Sequence, residues 1–212
     1  MSDKSWLLKL RQHRAIAVIR SNQMEIAYSM AQAVAAGGMK LIEITWNSDR
    51  AGDLIKQLRT ELPDCTIGTG TLLNMDDLES AIASGVEFLF TPHVNPEIIH
   101  TANLQNIPVI PGALTPTEIV NAWNSGADCV KVFPVQSLGG VNYIKSLQAP
   151  LSNIPMIPTG GITLANAYQF IEAGAIAVGL SSELFPQDLI KAGKWDAISQ
   201  LAKNLNQQIN QI

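Results

Sequence analysis

The sequence of 212 residues is poor in cysteine and has no long apolar run, and each shortage excludes a class of protein. Cys65 and Cys129 form no C-x-x-C pair, and this cysteine usage is typical of a reducing compartment. No segment approaches the ~18 uninterrupted apolar residues that a membrane span needs. Residues 1–14 are polar and mixed in charge, without the apolar core of a secretion signal. A globular cytoplasmic protein without a membrane partner is therefore expected.

The chain also lacks a basic cluster and a metal-ligand motif. Its net charge is −4 and no run of lysine and arginine occurs, so nucleic acid is not expected as a partner. His13, His93 and His100 show neither H-x-H nor H-E-x-x-H spacing. We therefore predict no metal site and no cofactor, although His93 follows a predicted strand where it could contact a substrate.

Short apolar runs alternate with longer segments whose apolar residues recur near period 3.6, which predicts alternating strands and helices. The eight predicted strands are Ala15–Arg20, Lys40–Trp46, Thr66–Leu72, Phe88–His93, Pro108–Ala113, Cys129–Pro134, Pro155–Gly160 and Ala175–Ser181. The predicted helices are Trp6–His13 before the first strand, then Met24–Ala36, Ala51–Glu61, Met75–Ser84, Pro96–Asn103 and Pro116–Ser125, and Pro186–Ile212 at the end. One helix start is well marked, with Thr115 as N-cap, Pro116 at the first position and Glu118 at the third.

A weak glycine repeat supports the same count. Gly38, Gly85, Gly126 and Gly174 each follow a predicted helix and precede a strand, where a left-handed helix cap suits glycine. Eight strand–helix units predict a closed parallel (β/α)8 TIM barrel with an extra N-terminal helix, formed as a single domain by residues 1–212. The alternative is an open doubly wound sheet, which normally has fewer strands and a G-x-G-x-x-G first turn that this chain lacks.

Lys131 lies in the run Cys129–Pro134, which is otherwise typical of a buried strand. Because strand side chains alternate, Cys129, Lys131 and Phe133 share one face. A desolvated lysine releases its proton more readily, and the free amine is a nucleophile for carbonyl carbon. This position indicates a Schiff-base lysine. The alternative is an edge-strand lysine whose ammonium extends to solvent.

Active sites of such barrels lie at the C-terminal ends of the strands. The strand phase permits five polar residues near those ends to face the lumen, namely Arg20, Glu43, Thr71, Lys131 and Thr159. Thr71 is placed in this group by its phase with Thr69. The alternatives are a surface turn for Arg20, a structural ion pair for Glu43 with Arg20 or Lys131, and ordinary strand or capping roles for both threonines.

Glu43 and Lys131 form a candidate pair because each follows a glycine, Gly38 or Gly126, by five residues. A buried amine and a buried carboxyl in equivalent positions suit a nucleophile and its acid/base partner. Two glycine turns, Thr159–Thr163 and Gly179–Ser182, follow the last two strands, where such barrels often bind phosphate with backbone N–H groups. The alternative is a pair of plain tight turns.

Six short motifs, in order within residues 14–186, carry a family resemblance; they are Leu41–Thr45, Gly68–Thr71, Thr91–His93, Ile110–Gly112, Val130–Pro134 and Pro158–Gly161. Together they resemble the 2-keto-3-deoxy-6-phosphogluconate (KDPG) aldolase and 4-hydroxy-2-oxoglutarate (KHG) aldolase family. The resemblance implies a class I aldolase, typically a homotrimeric (β/α)8 barrel, that acts on a phosphorylated keto acid and releases pyruvate.

The resemblance also implies a role for individual residues. Lys131 matches the Schiff-base lysine and Glu43 the general acid/base. The expected substrate contacts are Thr71 and Thr159 at the pyruvyl end, Arg20 near its carboxylate, Gly160, Gly161 and Ser182 in the phosphate loops, and Pro92 at the mouth. Two positions depart from the family pattern: Asn47 stands where many members have arginine, and Ser181 where many have glycine.

We therefore expect reversible cleavage of KDPG to pyruvate and glyceraldehyde 3-phosphate. The nearest rival functions keep the chemistry and change the substrate, to KHG or to the galactonate epimer of KDPG. A phosphosugar isomerase-type barrel would have no covalent step, and a sugar-phosphate-binding or scaffold barrel would have no catalytic activity. Lys131 distinguishes the covalent hypothesis from both of these barrels.

Overall fold

The computed structural model describes residues 4–210, and within them it contains nine short strands, ten α-helices and a 3-10 helix. The strands are β1 Ala15–Ile19, β2 Leu41–Thr45, β3 Thr66–Gly70, β4 Leu89–Phe90, β5 Val109–Ile110, β6 Gly112–Ala113, β7 Val130–Val132, β8 Met156–Pro158 and β9 Val178–Leu180. The helices are α1 Lys4–His13, α2 Met24–Ala36, α3 Ala51–Glu61, α4 Met75–Ala83, α5 Pro96–Leu104, α6 Pro116–Asn124, α7 Val141–Leu151, α8 Ala167–Glu172, α9 Gln187–Lys191 and α10 Trp195–Ile209, with the 3-10 helix at Val135–Leu138.

All strand pairs are parallel, and they close into a barrel. One ladder runs β5-β4-β3-β2-β1-β9 and the other β6-β7-β8. The strands β5 and β6 together occupy one of the eight strand positions of the barrel, here called staves. They are interrupted at Pro111, which has no N–H to donate. A parallel bridge between Thr159 and Gly179 joins β8 to β9 and completes the ring of eight staves. The predicted (β/α)8 barrel with a leading helix is confirmed.

The alternation of side chains divides the apolar residues into two cores. One core lies between the strands and the surrounding helices and contains Ile42, Ile67 and Val130. The other fills the barrel lumen with Ile16, Leu41, Phe88, Cys129 and Ile157 and their neighbours. Trp6 and Leu10 of α1 belong to this lumen core, so the extra helix covers the N-terminal end of the barrel.

The helix boundaries agree closely with the predicted ones, and the exceptions have local causes. The predicted capping box of α6 is present, with the Thr115 hydroxyl accepting from the Glu118 N–H and the Glu118 carboxylate accepting from the Thr115 N–H. The closing helix Pro186–Ile212 is wrong as one element, since it breaks into α9 and α10 at Gly193, whose φ is +61°. Residues 211–212 lie outside the described residues.

Two helices, α7 and α8, were not among the predicted stretches. No side chain caps the N-terminus of α7, which follows Gly140, and Pro150 lies inside it. α8 is only six residues long, too short for a helical period to be recognised. No helix of the described part of the chain is long and apolar enough to cross a membrane.

Candidate active site

The parallel arrangement brings the predicted site residues to one end of the barrel. Glu43 lies in β2 and Lys131 in β7, while the others follow the C-terminal ends of their strands. These others are Arg20 after β1, Thr71 after β3, Pro92 after β4, Thr159, Gly160 and Gly161 after β8, and Ser182 after β9. Seven of the nine strands thus present a predicted residue at the same mouth.

Lys131 is buried in the lumen, with 7% of its surface exposed. The alternative of an edge-strand lysine is wrong, because β7 pairs on both sides, with Gly112 of β6 and Ile157 of β8 opposite this residue. The ammonium Nζ lies 5.4 Å from the ring centroid of Phe90 and 5.1 Å from that of Phe133. Two aromatic faces therefore hold the end of the side chain at a distance that favours a cation.

Glu43 is buried more completely, at 1% exposure, in β2, which lies opposite β7 in the ring of eight strands. Burial raises the pKa of the Glu43 carboxyl above its ordinary value, while the charges of Lys131 and Arg20 act in the opposite direction. Among residues 5–210, Oε1 has no hydrogen-bond partner and no cation lies within 4.0 Å of the carboxylate. The alternative of a direct structural ion pair is therefore not found, and one carboxylate oxygen is buried without a hydrogen-bond partner.

Glycine in β3 provides the space for this carboxylate. A Cβ on Gly70 would lie 1.8 Å from Glu43 Oε1, and a Cβ on Gly68 would lie 2.4 Å from the Phe88 ring. The lumen-facing positions of β3 are thus Gly68 and Gly70. The Thr69 hydroxyl donates a hydrogen bond to the Ile44 carbonyl instead. Thr69 therefore faces away from the lumen, and its phase does not place Thr71 there.

Thr71 reaches the mouth by a different route from the one predicted. Its φ of +65° places it in the left-handed region, which is uncommon for a β-branched residue and ends the alternation of β3. Its half-buried side chain is therefore not directed by phase with Thr69. Strained residues of this kind are concentrated at functional sites. Thr71 remains a predicted substrate contact.

The loop after β8 packs against its neighbours on both sides. Thr159 is buried, and a Cβ on Gly179 would lie 2.7 Å from its Oγ1. Gly160 and Gly161 have φ values of +89° and +83°, which glycine adopts readily. The Gln136 N–H donates to the Gly160 carbonyl at 3.2 Å, so the segment after β7 supports this turn.

The remaining predicted positions border the mouth. Arg20 and Ser182 are exposed, and Pro92 is half-buried. A Cβ on Gly112 would lie 2.6 Å from the Pro92 carbonyl carbon, so β6 fits directly against this loop. The two departures from the family pattern, Asn47 and Ser181, are both exposed there, where a substrate could reach them.

Two features of the site were not predicted from the sequence. Phe90 contacts the Lys131 ammonium, and Gly70 leaves room for Glu43. The phase of Phe90 with Phe88 and the alternating glycines of β3 were available signals, but only the closed barrel shows which side chains they meet. Cys129, two residues before Lys131, is also fully buried, and burial raises the pKa of its thiol, so it stays neutral.

These features define a parallel α/β-barrel protein with a buried amine and a buried carboxyl of raised pKa at the C-terminal mouth. Within residues 4–210 no group of three or more histidine, cysteine, aspartate or glutamate side chains is arranged to hold a metal ion. An amine and a carboxyl so placed are suited to covalent carbonyl chemistry with proton transfer.

Comparisons with known proteins agree with this class. The family model "KDPG and KHG aldolase" matches residues 8–201. A 2-dehydro-3-deoxy-phosphogluconate aldolase of Haemophilus influenzae is 34% identical over 93% of both chains. The KHG/KDPG aldolase of Escherichia coli K12 is 32% identical over 89% of this chain and 88% of the relative.

A solved structure is similar along nearly the whole chain. It is the KDPG aldolase of Legionella pneumophila with pyruvate captured at low pH as a covalent carbinolamine intermediate. Its TM-score is 0.85 at 27% identity, over 92% of this chain and 95% of that one. The chain belongs to the KDPG and KHG aldolase family, and its class is that of a lyase.

Proposed function

We propose that the chain acts as a single barrel domain and is a Schiff-base aldolase that cleaves KDPG to pyruvate and glyceraldehyde 3-phosphate. The observation that carries the proposal is the pairing of a buried Lys131 amine with a buried Glu43 carboxyl whose Oε1 is unpartnered. The carbinolamine captured in the related Legionella pneumophila enzyme supports a covalent route.

The reaction begins when the neutral Lys131 amine attacks the C2 carbonyl of the substrate and forms a carbinolamine. The carbinolamine hydroxyl then takes up a proton from solvent and leaves as water, which gives a cationic iminium. Glu43 then accepts the proton of the C4 hydroxyl, directly or through a water, as the electrons of the C3–C4 bond move into the iminium. Glyceraldehyde 3-phosphate leaves and an enamine remains on Lys131.

Glu43 next returns its proton to C3 of the enamine, and hydrolysis of the resulting iminium releases pyruvate and restores the amine. A carboxyl with a raised pKa suits this role, because it holds the proton between the two transfers. Thr71, Thr159 and Arg20 would hold the carboxylate beside the amine, and Gly160, Gly161 and Ser182 would bind the phosphate.

Borohydride reduction in the presence of pyruvate tests the covalent step. A stable adduct should form on Lys131 and be located by peptide mass spectrometry, and Lys131→Met should remove both the adduct and cleavage while the fold is retained. Replacement Glu43→Gln should slow cleavage by about 10²–10⁴-fold, as loss of a general acid/base does. The absence of an adduct, or an adduct on another lysine, would contradict the mechanism.

The exposed Asn47 and Ser181 favour a comparison of substrates, because each replaces a residue type that many family members use at the mouth. KHG lacks phosphate, so inorganic phosphate should inhibit cleavage of a phosphorylated substrate more than cleavage of KHG. Cleavage rates on KDPG, its galactonate epimer and KHG, measured side by side, identify the preferred substrate. Comparable rates with all three would contradict the assignment to KDPG.

We also infer a homotrimer in the cytoplasm. The family resemblance supports the trimer. Leu73, in the loop after β3, and Leu138, in the 3-10 helix after β7, are 57% and 43% exposed and provide apolar surface for subunit contact. The two free, buried cysteines suit a reducing compartment. Sedimentation equilibrium should give three times the chain mass, and a monomer would contradict the inference.

A further inference from the structure

A column of aromatic rings runs through the barrel lumen from the N-terminal helix to the Lys131 amine. Trp6 of α1 stacks on Phe88, with ring centroids 4.9 Å apart and planes inclined by 26°. Phe88 meets Phe90 edge to face, at 5.8 Å and 83°. Phe90 then lies 5.4 Å from Lys131 Nζ. The rings thus connect the closed end of the barrel with its mouth.

The surrounding residues fix this column in place. Trp6, Phe88 and Phe90 are at most 2% exposed, and all belong to the lumen core. Gly68 of the adjacent strand leaves the space that the Phe88 ring fills, since a Cβ there would lie 2.4 Å from the ring. The rings therefore have little freedom to move, and Phe90 offers Lys131 a fixed surface.

The Phe90 face matters because few negatively charged groups lie close to the Lys131 nitrogen. Among residues 5–210, no carboxylate oxygen lies within 4.0 Å of Nζ. The faces of Phe90 and Phe133, at 5.4 and 5.1 Å, favour a positive charge at that point. In the proposed reaction the neutral carbinolamine becomes a cationic iminium at this nitrogen, so a ring face stabilises the product of dehydration more than its precursor.

We propose that Phe90 is a positioning residue for Lys131, supported from below by Phe88 and by Trp6, so that the N-terminal helix forms part of the active-site support. This role rests on the proposed Schiff-base function. Phe90 restricts where the flexible lysine places its nitrogen and favours the cationic iminium there.

Borohydride trapping with pyruvate tests this role, because the reagent reduces the iminium on Lys131 to a stable adduct. Phe90→Leu keeps an apolar side chain but removes the ring face. Trapping on Lys131 should slow by about 2- to 30-fold, the range that a contact of about 0.5–2 kcal/mol converts to. The turnover rate should fall by more than KM changes. A fluorinated phenylalanine at position 90 keeps the shape of the ring but reduces the negative potential of its face. Trapping should therefore slow further with each added fluorine.

Phe170→Leu is the matched control. Phe170 is fully buried in the outer core, so its loss should lower thermal stability to a similar extent without changing the trapping rate. Equal trapping by the unchanged protein, the Phe90→Leu variant and the fluorinated protein would overturn the positioning role and leave the aldolase function intact. No adduct in the unchanged protein would overturn the function, and the positioning role with it.

Trp6 is tested by rescue. Trp6→Ala should slow trapping, Trp6→Phe should restore most of it, and Leu8→Ala on the exposed side of the same helix should have no effect, since Leu8 is 65% exposed. If Trp6→Ala lowers stability but leaves the trapping rate unchanged, the contribution of the N-terminal helix is overturned.

Discussion

Gly70 leaves the space into which the Glu43 carboxylate extends, and Gly70→Ala fills it with a single methyl group. The added Cβ would lie 1.8 Å from Oε1 and 2.5 Å from Cδ of Glu43. Side-chain Cβ atoms essentially never approach another atom closer than 3.0 Å, so the carboxylate has to withdraw by about 1.2 Å. The backbone of β3 is held by β2 and β4 on either side, so the flexible carboxylate gives way first.

The structure gives the magnitude of two separate effects. A misplacement of about 1 Å in a catalytic group costs on the order of 10²-fold in rate, so we expect proton transfer by Glu43 to slow by about that factor. Inserting a methyl group into a packed core costs about 1–3 kcal/mol, and the flexible end of Glu43 places this variant at the lower end. The three atoms nearest to the added methyl group all belong to Glu43, so formation of the iminium at Lys131 should be nearly unchanged.

Two assays separate these steps. Exchange of the pyruvate methyl protons in D₂O, followed by proton NMR, reports the enamine and hence proton transfer by Glu43. Borohydride trapping reports the iminium. Gly37→Ala is the matched control, because its Cβ would lie 2.4 Å from the Ser199 carbonyl oxygen, between α2 and α10 and away from the mouth. It should cost stability and leave exchange unchanged.

If Gly70→Ala folds and exchanges pyruvate protons within about twofold of the unchanged protein, against the ~10²-fold expected, then Gly70 does not set the position of the Glu43 carboxylate. If exchange and trapping fall together, the methyl group disturbs the whole lumen rather than Glu43.

Three further predictions concern stability. Because burial raises the pKa of Glu43, the native state holds this proton more tightly than the unfolded chain, and stability is lost as pH rises from the ordinary value of 4.5 through the raised native pKa. Glu43→Gln should therefore be more stable than the unchanged protein at pH 7 and equal to it well below pH 4.5, in urea unfolding at several pH values; equal stability at pH 7 would contradict the raised pKa. Thr71→Gly should stabilise the fold by up to about 1 kcal/mol, since it releases the left-handed strain at some entropic cost, while weakening pyruvate binding measured by calorimetry; a loss of stability would show that Thr71 is not strained. Thr115→Ala should cost about 1 kcal/mol in urea unfolding by removing the N-cap of α6, whereas Thr117→Ala, two residues further on the exposed surface of the same helix, should be nearly neutral.

Much of the fold follows from local patterns. Apolar runs placed all eight staves, and glycines with positive φ, such as Gly38 and Gly126, stand where helices end and strands follow. The closing helix was placed wrongly because the break at Gly193 depends on how α9 and α10 pack, which no periodicity shows. α8 was not found because six residues hold less than two helical turns.

The candidate site divides in the same way. The strict alternation of strand side chains predicts which residues share a face with Lys131 and with Glu43, and the closed barrel shows that this face is the lumen. Thr71 could not be placed by that rule, because its left-handed backbone ends the alternation. The contacts of Phe90 with Lys131 and of Gly70 with Glu43 join residues 41 and 27 positions apart, respectively, across the lumen.

The sequence alone determined the number of staves and the chemical type of the buried groups, because strand period, turn residues and ionisable side chains are local properties. The closed barrel alone decided that Lys131 lies between two strands rather than at an edge, that Glu43 has an unpartnered oxygen, and that Trp6 supports the mouth from the opposite end. Burial, and with it the raised pKa of Glu43, arises from atoms contributed by distant parts of the chain, so it exists only once the eight staves have closed.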